Sequence, residues 1–90
     1  MRRIEKRLFR INDELAALYE AERQAREELV FHRHLDDDAQ RDAAGGSPLD
    51  RADARETAAD VARLEASIAD LAVSIGAAEA KRAALLERLA

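Results

Sequence analysis

A chain of 90 residues holds at most one small domain, and with no cysteine it has no disulfide, thiolate metal site or cysteine nucleophile. Aromatic residues are only 3% of it, against 48% hydrophobic (mostly Ala and Leu) and 38% charged, the mix of long amphipathic helices rather than of a sheet protein. A net charge of −4 argues against general nucleic-acid binding, and no apolar run approaches the roughly 20 residues of a membrane span.

The chain opens on Met1-Arg2-Arg3-Ile4-Glu5-Lys6-Arg7, charged and amphipathic, with no apolar signal-peptide core behind it. A cytoplasmic location is therefore expected. The first helix is expected over residues 2–44. Steps alternating between four and three pass through Ile4, Leu8, Ile11, Leu15, Leu18, Glu22, Ala25, Leu29, His32, Asp36, Ala39 and Ala43. That is a seven-residue repeat, the mark of a coiled-coil seam.

One break follows, at residues 45–48, Gly45-Gly46-Ser47-Pro48, which holds the only proline and two of the three glycines. Glycine suits a left-handed helix end, serine is a preferred N-cap, and proline fits the first helical position. Asp50 stands three residues after Ser47, where a carboxylate can reach back to free N–H groups. The second helix is expected over 48–89. Its seam runs through Asp50, Ala54, Thr57, Val61, Leu64, Ile68, Leu71, Ile75, Ala78, Arg82, Leu85 and Leu89.

The two seams mirror one another. A fold midway between Gly46 and Ser47 sets Ile4 opposite Leu89, Leu8 opposite Leu85, and so on to Ala43 opposite Asp50. The expected architecture is all-α: an antiparallel two-helix coiled-coil hairpin, one domain over 1–90, each arm roughly 60 Å long at 1.5 Å per residue. A second stripe marks the other side of the second helix: Ala59, Ala62, Ala66, Ala69, Val73, Gly76, Ala80 and Ala83. Small residues let helices approach closely, so Ala62, Ala66, Ala69, Val73, Gly76 and Ala80 are read as a dimer seam joining two hairpins into a four-helix bundle. Alanine is also simply the best helix former on an exposed face. Gly76 favours the dimer, because a mid-helix glycine costs about 1 kcal/mol against alanine.

Few residues suggest chemistry. His32 and Asp36, four apart beside His34, Asp37 and Asp38, have metal-ligand spacing, but no Glu-x-x-His pair of a di-iron bundle is present. A polar seam position opposite Val61 accounts for His32. Glu22, His32, Asp36 and Arg82 interrupt the apolar stripe, as residues that fix register do. No phosphate loop and no nucleophile with its base is found, so neither an enzyme nor a cofactor is expected. Charge is uneven: Arg2, Arg3, Lys6, Arg7, Arg10, Lys81, Arg82 and Arg88 gather near the termini, while Asp36, Asp37, Asp38, Asp42, Asp50, Asp53, Glu56 and Asp60 surround the turn.

The turn sequence Ser47-Pro48-Leu49-Asp50-Arg51-Ala52 resembles the tip of the DksA group of RNA polymerase secondary-channel factors. That group's tip reads Asp-x-x-Asp-x-Ala; Asp50 and Ala52 match its last two positions, and Ser47 stands where the first Asp is expected. The resemblance covers six residues, and without cysteine the chain does not contain that group's zinc finger. It implies that Asp50 and Ala52 contact RNA polymerase. The leading expectation is a coiled-coil adaptor or regulator that binds itself and a protein partner. Phe9, Tyr19, Val30, Phe31, Leu35 and Leu86 lie outside the seam, and Phe31 with Leu35, four apart, form an anchor pair for a partner helix.

Overall fold

The computed structural model describes residues 2–90; Met1, which the expected 1–90 domain includes, lies outside the described residues. Two helices form an antiparallel hairpin, α1 over Arg3–Ala43 and α2 over Pro48–Leu89, with no strand among the described residues. α1 ends one residue short of the sequence pattern on each side, the ordinary fraying of a helix end.

The seam is where the periodicity places it. Every seam residue of α1 is buried or half-buried, and so is every one of α2 except Arg82 and Leu89. Arg82 keeps its guanidinium in solvent on a long stem, and Leu89 is the last residue of α2.

The fold has two compact units, one pairing the chain up to Arg23 with Ala69–Ala90, the other made of Gln24–Ile68. In the first, Ile11, Leu15, Ile75 and Ala78 form one buried cluster with Leu18 packed against it. Leu15 is its centre, only 2% exposed, and faces Ala78 as the mirrored seams require. In the second, Leu29, Ala54 and Ile68 are buried. Its register is pinned by polar residues in and beside the seam: the Thr57 hydroxyl donates to Asp36 at 2.8 Å, and the Gln40 amide, next to seam residue Ala39, donates to the Ala54 carbonyl at 2.9 Å. Asp36 also accepts from Gln40 at 3.0 Å. A half-buried carboxylate with two donors is a satisfied one, so it can sit in the seam without a heavy desolvation cost.

Ion pairs add little to this frame. Arg23 with Glu20, Arg41 with Asp38 and Arg63 with Asp60 are exposed pairs within one helix, and Arg33 reaches Glu65 across the seam at 3.5 Å. Pairs of this kind contribute about 0.2–1 kcal/mol. The apolar seam carries the hairpin.

Candidate interaction surfaces

The turn is built by a reciprocal cap. Ser47 Oγ accepts the Asp50 N–H at 3.3 Å, and Asp50 Oδ2 accepts the Ser47 N–H at 3.2 Å. The first helical bond runs from Arg51 N to Ser47 O at 3.1 Å, and the Arg51 guanidinium donates to the Gly46 carbonyl at 3.1 Å. Pro48 takes the first helical position, where no N–H is needed. The end of α1 differs from the sequence expectation: no glycine among the described residues has a positive φ, so no left-handed cap closes it. Instead the Ala44 N–H donates to Gln40 and the Gly46 N–H to Ala43, a tightened last turn. Gly46 is required by space. A Cβ there would lie 2.5 Å from the Asp42 carbonyl oxygen and would collide with the Asp50 carboxylate. Gly45 faces open space. Asp50, half-buried, is thus a capping residue with one oxygen engaged, and Ala52 is half-buried one turn into α2.

The small-residue stripe lies on a bare surface. Ala59, Ala62, Ala66, Ala69, Val73, Gly76, Ala80 and Ala83 are all exposed, Val73 at 74%. Nothing stands within 4 Å of where a Gly76 Cβ would be. The stripe therefore has no packing role within its own hairpin.

A second exposed face is on α1. Phe31 is 61% exposed and Leu35 is 41%, one helical turn apart, with the Phe31 ring edge-on to His32 at 5.6 Å. Val30, Phe9, Tyr19 and Leu86 are exposed as well, on other faces of the helices. His32 and Asp36 are half-buried seam residues, while His34, Asp37 and Asp38 are exposed. Among the described residues no three His, Asp or Glu side chains converge to hold a metal ion. No helix is long and apolar enough to cross a membrane.

The first unit carries a feature that sequence reading saw only as a surplus of cations. Arg7 and Arg10 of α1 and Lys81 and Arg88 of α2 wall a groove of about 420 Å³ whose floor is Ile11, Ala84 and Leu85, with Glu14 at its margin. Arg3, Lys6, Arg7 and Arg10 form a continuous cationic face on α1. None of Arg3, Lys6, Arg7, Arg10, Lys81 or Arg88 has an ion-pair partner among the described residues. The signal for the groove was present in the spacing, since 7 with 10 and 81 with 88 share a face on each helix. Bringing the two faces together needed the fold. No family model, curated protein or solved structure matches the chain.

Proposed function

We propose that this chain is a small coiled-coil interaction module, an adaptor or regulator without catalytic chemistry, that pairs with a second copy of itself through the exposed small-residue face of α2. One observation carries the reading. The hairpin shields its seam, yet it leaves Val73, Gly76 and the alanines of the second stripe uncovered along a helix with no other use for them. Small side chains bring helix backbones close, where many weak dispersion contacts accumulate. A hairpin of 90 residues also has limited core, and doubling it by a like copy is a common way for small helical scaffolds to gain buried surface. The Phe31–Leu35 face of α1 then remains for a partner protein, as an apolar anchor pair on a helix fits an apolar groove.

The test is the mass of Ala69→Glu against wild type by light scattering during size exclusion. Ala69 is exposed and outside the seam, so the variant keeps its helical circular dichroism. The wild type elutes with the mass of two chains and Ala69→Glu with that of one. A wild type of single-chain mass overturns the reading. Capture of RNA polymerase by a single-chain protein, lost with Asp50→Asn, would favour the secondary-channel tip instead.

A further inference from the structure

We infer that the cationic groove of the first unit receives the acidic face Asp53–Glu56–Asp60 of a second copy, so that the two α2 helices pair antiparallel. The inference rests on the self-pairing proposed above and adds its direction and its polar contacts.

The groove is lined by four cations, Arg7, Arg10, Lys81 and Arg88, against the single carboxylate of Glu14, and none of the four has an ion-pair partner among the described residues. Of its floor Ile11 and Leu85 are already buried and only Ala84 is exposed, so an apolar ligand gains little there. Charge is what the groove offers. Its complement is a row of carboxylates on a helix, and α2 carries one. Asp53, Glu56 and Asp60 lie on one helical face; among the described residues Asp53 and Glu56 have no ion pair, and Asp60 is joined to Arg63. Lys81, Ala84 and Arg88 follow Asp53, Glu56 and Asp60 four heptads later along the same uninterrupted helix. Acid row and groove wall therefore hold equivalent positions in the seven-residue repeat, next to the small-residue stripe.

The stripe supplies the register. In a two-fold pair of antiparallel α2 helices centred on Leu71, Ala59 faces Ala83 of the second copy, Ala62 faces Ala80, Ala66 faces Gly76 and Ala69 faces Val73. The largest residue then meets a small one, and the glycine meets an alanine. At that register the segment 53–60 of one copy runs beside 82–89 of the other. In a two-fold antiparallel pair, equivalent sides of the stripe meet. Glu56 comes over Ala84, between Lys81 and Arg88, and the symmetry makes the junction twice. A parallel pair would instead hold groove level with groove and acid row level with acid row, on opposite flanks of the shared stripe, so no acid row would reach a groove. The junctions act against two like-charge approaches, Asp70 with its own copy near the axis and Glu65 with Glu79, the latter with Arg82 beside it.

Two charge-reversed variants test this: Lys81→Glu with Arg88→Glu, and Asp53→Lys with Glu56→Lys. All four positions are exposed, so circular dichroism is unchanged. Each variant alone dimerises at least tenfold more weakly than wild type by sedimentation equilibrium, and an equimolar mixture recovers a two-chain complex of wild-type affinity. The second variant has a formal net charge of zero, the chain's −4 plus four, so its weakening is not general repulsion. A wild-type dimer whose two variants each associate as tightly as wild type, or whose mixture shows no recovery, overturns the antiparallel junction while leaving the dimer standing. A wild type that stays a single chain overturns the self-pairing itself.

Discussion

Gly76→Ala separates what the hairpin needs from what its surface offers. The residue sits in the interior of α2 with no positive φ, and a Cβ there would meet nothing within 4 Å. In an isolated hairpin the added methyl has no steric cost, and it removes the conformational freedom that glycine gives the unfolded chain. The gain is about 1 kcal/mol, the glycine–alanine difference in a helix interior. For a chain of this size that raises Tm by about 4–8 °C. This gain is expected in thermal melts followed by circular dichroism at a concentration low enough to keep hairpins apart. At high concentration, where two α2 faces meet, the methyl must fit against Ala66 of the second copy. The dimer weakens, and the gain shrinks or reverses. No gain in the dilute limit would refute the view that Gly76 is free of its own hairpin. An equal gain at both concentrations would refute its use as a close contact.

Further outcomes follow from the turn and the core. Ser47→Ala removes one half of the reciprocal cap and lowers stability by about 0.5–2 kcal/mol, read as a shift in urea midpoint with unchanged slope. Gly46→Ala is destabilising because its methyl collides with Asp50 and crowds Asp42, whereas Gly45→Ala is close to neutral; equal melting temperatures for the two would contradict the turn geometry. Leu15→Ala truncates the largest fully buried side chain and costs about 2–5 kcal/mol, read as a fall in the urea midpoint. Thr57→Val leaves Asp36 its Gln40 donor and costs the hydrogen bond alone, about 0.5–1.5 kcal/mol in a urea melt.

Much of the fold could be read from periodicity, because a two-helix hairpin has only one seam to find and its polar interruptions are as regular as its leucines. Asp36 and Thr57 were aligned by the mirrored seams and are hydrogen-bonded in the structure. The Ser47–Asp50 cap was legible because capping depends on three or four adjacent residues. The glycines at the turn were legible as a break but not in their role. A left-handed cap and a close approach both select glycine, and only the position of the Asp50 carboxylate decides that Gly46 serves the second. Arg82 was placed in the seam by spacing, and the length of its side chain takes it out. The cationic groove escaped the sequence because its walls come from two helices and two of its floor residues, Ile11 and Leu85, were already counted as core.

The most direct test of self-pairing through α2 is sedimentation equilibrium of the unmodified chain at micromolar concentration and moderate salt. The expected mass is twice the 10.0 kDa of the chain, falling towards the single-chain value as salt screens the charged junctions. A mass of one chain at every concentration and salt would contradict it.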